Sequence, residues 1–81
     1  MEIIKSFTGI WHSPMLGEFT VEVTETISII RCDEVYILLR VTDLKSNDST
    51  SGETKCTRSY SKALDWYEEW NKELMWHMHT T

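Results

Sequence analysis

The run Glu18-Phe19-Thr20-Val21-Glu22-Val23-Thr24-Glu25-Thr26-Ile27-Ser28-Ile29-Ile30-Arg31 decides how this chain folds. Its first half alternates without a fault. Phe19, Val21 and Val23 share one parity, and Glu18, Thr20, Glu22 and Thr24 share the other. A period of two belongs to a β-strand with one buried face. Carried forward, the same parity sets Glu25 among the inward apolar residues, where a lone carboxylate is costly. A bulge or turn near Glu25-Thr26 is therefore expected before Ile27-Ser28-Ile29-Ile30 resumes the strand.

Outward from this run the other elements fall into place. Upstream, Ile3 to Trp11 reads as a strand, and His12-Ser13-Pro14-Met15-Leu16-Gly17 reads as a break, since Pro14 lacks a donor and Gly17 permits a turn. Downstream, Asp33-Glu34 is a short connection. Val35, Ile37, Leu39 and Val41 then alternate with Tyr36, Leu38 and Arg40; two largely apolar faces mark a central strand. Ser46 to Gly52 is polar and reads as a mobile hairpin loop, and Thr54 to Tyr60 suits a solvated edge strand.

The last segment has a different period. On a helical projection of Lys62 to His79, Ala63, Leu64, Trp66, Tyr67, Trp70, Leu74, His77 and Met78 form one apolar arc. Lys62, Asp65, Glu68, Glu69, Lys72, Glu73 and His79 form the opposite one, with Ser61 as the N-cap. The expected fold is α+β: a three- to four-stranded antiparallel sheet packed by one C-terminal helix. The strand count depends on the Glu25 region. At 81 residues the chain has room for one core, so residues 1–81 form a single domain. Trp76 breaks the pattern by falling in the charged arc: either the helix frays or bends near its end and the ring tucks back against the sheet, or the ring serves binding, since Trp is the residue most enriched at hot spots.

Composition narrows the function classes. No apolar run reaches the roughly eighteen residues that a membrane span needs, and Met1 to Lys5 has neither the basic head nor the apolar stretch of a signal peptide. A cytoplasmic protein without membrane contact is expected, with Cys32 and Cys56 as reduced thiols. The net charge is −5 and unevenly placed. Residues 1–39 hold six acids (Glu2, Glu18, Glu22, Glu25, Asp33, Glu34) against Lys5 and Arg31, a net of −4. Such a field repels nucleic-acid phosphates and favours a partner with a basic surface.

Motifs with a chemical mechanism are missing from the sequence. His12, Cys32, Cys56, His77 and His79 show no zinc-ligand spacing, and no metal site is expected. Three isolated glycines make no phosphate loop, and adjacent carboxylates such as Asp33-Glu34 point apart. A Cys-His pair, Cys56 with His12 or His77, would need a proximity in space that spacing does not show. Neither catalytic residues nor a cofactor are expected.

Two resemblances add to this. Thr57 to Tyr67 (TRSYSKALDWY) resembles the strand-to-helix junction of the arm-binding domain of phage integrases, a three-stranded sheet with a C-terminal helix that binds DNA through the sheet. That family's sheet is basic, whereas Glu18, Glu22 and Glu25 make this one acidic, so the resemblance implies the architecture and not the DNA binding. Met1-Glu2-Ile3-Ile4-Lys5, Trp11 and Glu18-Phe19-Thr20-Val21-Glu22-Val23 resemble the opening of small early proteins of T4-type phages, a group that includes antitoxins and inhibitors of host defence. This implies a compact, acidic, non-catalytic inhibitor in the host cytoplasm that binds and blocks a host defence or nucleic-acid-handling protein. Trp76 and Trp11 are the expected anchors, and Glu18, Glu22 and Glu25 the expected acidic contacts. Two other readings stay open: a nucleotide-signal sponge using Arg31, Arg40, Tyr36 and Trp residues, and an assembly subunit that forms a homo-oligomer through its strand edges.

Overall fold

The computed structural model describes residues 1–15, 19–44 and 49–80, with the backbone alone described at Pro14, Met15, Phe19, Ser49 and Thr80. Four strands, β1 (Glu2–Met15), β2 (Phe19–Cys32), β3 (Val35–Leu44) and β4 (Ser49–Thr57), precede one helix, α1 (Tyr60–Thr80). The strands pair antiparallel with their sequence neighbours, in the spatial order β1-β2-β3-β4. The architecture is the expected α+β arrangement, and the strand count is four.

β2 differs from expectation at its centre. It runs unbroken through Glu25 and Thr26, which face Thr42 and Val41 in register, with no bulge or turn between them. Glu25 therefore does point inward with Val21 and Val23, and it is only 4% exposed. What makes this tolerable comes from the next strand: Arg40 and Thr42 both donate to its Oε1, at 3.3 and 3.0 Å. The irregularity lies instead in β1, between Ile3 and Lys5.

Three other boundaries move. β1 continues past Trp11 through Pro14 to Met15, and Pro14 sits opposite Thr20 in an edge strand, the place where a sheet accommodates a missing N–H. Ser49 to Gly52, expected in a loop, belong to β4; Ser46 to Asp48, expected in the same loop, and Leu16 and Gly17, where a turn is expected, lie outside the described residues. The helix starts one residue before Ser61, and its cap is Ser59. The Oγ of Ser59 accepts from the Lys62 amide at 3.3 Å, and its carbonyl accepts from the Ala63 amide at 3.0 Å. Between β2 and β3, Asp33 takes a φ of 56°, a left-handed conformation that Asp accepts more readily than most residues.

The helix lies across one face of the sheet and touches all four strands. Ile27, Ile29 and Leu38 from the sheet meet Ala63, Trp70 and Leu74 from the helix in the core. Gly9 sets how near the helix comes to β1: a Cβ there would stand 2.6 Å from Met78 Sδ and 3.1 Å from Leu74 Cδ2. Parity puts Val35, Ile37, Leu39 and Val41 on the other face, half-buried among neighbouring strands. No element among the described residues covers that face. No described helix is long and apolar enough to cross a membrane.

Candidate functional site

The helix-bearing face is organised by charge and aromatic contact around Arg40. Its Nη1 donates to Glu73 Oε2 at 2.8 Å and its Nη2 to Glu25 Oε1 at 3.3 Å. The guanidinium carbon lies 5.8 Å from the centre of the Trp70 ring. Burial works against the charge on Arg40, but the bond to Glu73 and the fields of Glu25 and Glu73 outweigh it. Its pKa is held above the ordinary arginine value. Lys55 continues the row, with its ammonium 5.0 Å from the Trp66 centroid and 5.5 Å from that of Trp70.

Two clefts adjoin at this pair. One, of about 390 Å³, is lined by Glu25, Arg40, Thr42, Ser51, Gly52 and Glu53. The other, of about 510 Å³, is lined by Lys72, Glu73, Trp76 and His77. Glu73 lines the second while bonded to Arg40 of the first, so the ion pair links the two.

The expected site residues divide as follows. Trp76 is 63% exposed, on the last turns of an ordered helix. Trp11 is half-buried, and its ring stacks on His77 with centroids 4.5 Å apart and planes 17° from parallel. The same His77 meets the Trp76 ring edge-on at 5.2 Å and 74°. The two tryptophans, 65 positions apart in the chain, are thus joined through one imidazole. Met75 and Met78 on the same stretch of helix are 46% and 38% exposed. His77 is the residue that sequence reasoning missed; its only signal was a place inside the apolar arc, directly after Trp76.

The acidic residues do not come together. Glu25 is buried in the Arg40 pair on the helix side, whereas Glu22, opposite His12, has the parity of the uncovered face. Glu18 lies outside the described residues. Exposed acids near the helix are Asp65, Glu68, Glu69 and Glu73 on α1 and Glu53 on β4, while Glu2, Asp33, Glu34 and Asp43 are exposed along the sheet and its β2–β3 turn. Cys56 has the parity of the uncovered face and His77 contacts the helix-bearing one, so that pair is separated by the sheet. Cys56 and His12 lie on opposite edge strands. Among the described residues, no three His, Cys, Asp or Glu side chains are grouped so as to hold a metal ion.

No family model matches the chain, and no curated protein or solved structure shows significant similarity to it.

Proposed function

We propose that this domain is a non-catalytic inhibitor that binds and blocks another protein with the C-terminal part of its helix, using Trp76 as the anchor. The observation that carries this is the exposure of Trp76, 63%, on a helix whose other tryptophans are engaged with the sheet or with lysines. A Trp exposed yet held edge-on by His77, itself stacked on Trp11, is oriented before any partner arrives, which lowers the ordering cost of binding. Glu73, Glu69 and the overall charge of −5 favour a basic surface around that anchor. A host defence or nucleic-acid-handling protein fits this description, in keeping with the resemblance of the N-terminal stretch to early proteins of T4-type phages.

The test is affinity capture from bacterial lysate at low and high salt, with Trp76→Ala beside the unaltered protein. One host protein retained at low salt, released at high salt and lost with Trp76→Ala is the expected result. Capture that ignores both salt and Trp76 overturns the reading.

One observation favours assembly instead. The uncovered sheet face presents Val35, Ile37, Leu39 and Val41 in a row, and β1 is a long edge strand with Ile3 and Ile10 exposed. A stable oligomer of the purified protein in sedimentation analysis would support that reading. The nucleotide-sponge reading meets opposition from charge, since Arg40 already faces Glu25 and Glu73, with Glu53 beside it.

A further inference from the structure

No described element lies across the face of the sheet opposite the helix, where Val35, Ile37, Leu39 and Val41 stand in a row with Ile30 beside them. The chain exposes 5652 Å², whereas a compact monomer of 9.6 kDa exposes about 5,100 Å². Its radius of gyration is 14.1 Å, against about 12 Å for a compact chain of this length. A domain with one sheet face left open departs from compactness in this direction.

Charge narrows what could cover that face. Every cation of the strands among the described residues takes the helix side: Lys5, Arg40 and Lys55 lie over the rings of Tyr67, Trp70 and Trp66, and Arg31 has the parity of Ile29. The open face therefore offers no counter-charge to a phosphate or an anionic lipid. Its acids, Glu22 and Asp43, sit at one end of the sheet, with His12 opposite Glu22. A basic partner would find no carboxylate over the middle.

The polar groups in the middle suit a dry contact. Ser6 Oγ and Ser28 Oγ lie 3.1 Å apart, and Thr8 Oγ1 and Thr26 Oγ1 lie 3.0 Å apart. Hydroxyls bonded to each other across strands lose less on burial than hydroxyls bonded to water alone. The area also suffices. Four strands about 4.8 Å apart, each of roughly ten residues at about 3.4 Å, cover about 650 Å² in projection, and a pleated surface exceeds its projection. A standard interface takes about 800 Å² from each partner.

We propose that two copies of this chain pack these faces together, as a closed pair with the layers helix, sheet, sheet, helix. A two-fold axis running across the strands sets the acidic end of each copy over the apolar end of the other, around Ile3, Ile30 and Ile37, so that Glu22 and Asp43 do not meet their own images. The pairing does not rest on the inhibitor reading, because Trp76 belongs to the outer layer of each copy and stays available to a further partner. It differs from assembly through strand edges in stopping at two.

The experiment is sedimentation velocity on the purified protein from about 1 to about 100 µM, a range that spans micromolar dissociation constants. A shift from one to two chain masses is expected, with Leu39→Lys weakening it at least about tenfold and Trp76→Ala leaving it unchanged. Should Leu39→Lys fail to fold by circular dichroism, Thr54→Arg, at an exposed position directly opposite Leu39, makes the same test. Cys56, exposed and paired with Ile37, reports the face itself: its rate of maleimide labelling is expected to fall in step with the dimer fraction. A monomer throughout the range, a dimer that a folded Leu39→Lys or Thr54→Arg leaves intact, or one in which Cys56 reacts as fast as in the monomer overturns the pairing. Species that grow beyond two copies point to the strand edges and overturn the closed pair, and a dimer lost in Trp76→Ala places the contact on the helix layer and overturns it too. The measurement contains no host protein, so its failure and the failure of Trp76-dependent capture are read separately.

Discussion

Arg40 Nη1 donates to Glu73 Oε2 across 2.8 Å, a bond that joins an interior strand to the helix 33 positions further along the chain. The same guanidinium also holds Glu25, but the two legs differ in weight. Glu73 keeps 55% of its side-chain surface in water, and Glu25 only 5%. Solvent screens the first leg, whereas the second is set by what a buried carboxylate loses when its donor leaves.

Glu73→Gln is therefore expected to cost under about 1 kcal/mol of folding stability, and Arg40→Ala about 3 kcal/mol, because it strands Glu25. The double variant Glu25→Leu/Arg40→Met should recover most of that loss. Urea denaturation of the set checks this, and equal costs for Glu73→Gln and Arg40→Ala would contradict it.

The pH dependence of that contribution has a definite sign. A base whose folded pKa is raised stabilises fully below its unfolded pKa and loses the contribution as pH rises through the folded one. For Arg40 both values lie in strong alkali, and the folded one is higher. The stability gap between the unaltered protein and Glu25→Leu/Arg40→Met, which leaves no buried carboxylate stranded, is expected to be the same at about pH 6 and about pH 9, where arginine stays charged. Thermal melts at the two pH values measure it.

Gly9 controls the spacing of helix and sheet. Met78 could swing its sulfur aside, but Leu74 is fully buried and would have to give by several tenths of an ångström. Gly9→Ala is expected to destabilise by about 1–3 kcal/mol, the usual cost of overpacking, read by chemical denaturation. A neutral or stabilising result would mean that the helix shifts freely over β1.

Trp70 and Trp76 should behave as opposites. Trp70→Ala removes a side chain that is 5% exposed and is expected to cost about 3–5 kcal/mol. Trp76→Ala is expected to stay within about 0.5 kcal/mol, as surface changes usually do. That near-neutrality makes Trp76→Ala a usable probe of partner binding, and melting curves establish it first.

Much of the sheet could be read directly from the alternation of Val21, Val23, Ile27 and Ile29, and the helix from the period through Ala63, Trp70 and Leu74. Glu25 defeated the reading for a reason that local pattern cannot contain. Its partners, Arg40 and Thr42, lie on the next strand, and only the register of β2 with β3 brings them within reach. Ser49 to Gly52 read as loop because an edge strand with little to bury has the composition of a loop. At the candidate site the place of Trp76 in the charged arc was legible, but not whether its ring is exposed, since a helix that frays or bends at its end would tuck it back against the sheet. Its link to Trp11 was not legible either, because it depends on where the helix ends over β1.

The position of the helix after all four strands also has a consequence during synthesis. Ile27, Ile29 and Leu38 leave the ribosome well before Ala63, Trp70 and Leu74, the residues that shield them. For that interval the nascent chain is a sheet-forming segment with an apolar side and nothing to lay across it, the state most open to association with other chains. Nucleation by the consecutive hairpins is local, but productive folding waits for the residues of α1. Slow translation through residues 58–80 should therefore lower soluble yield more than an equal delay placed among the first strands.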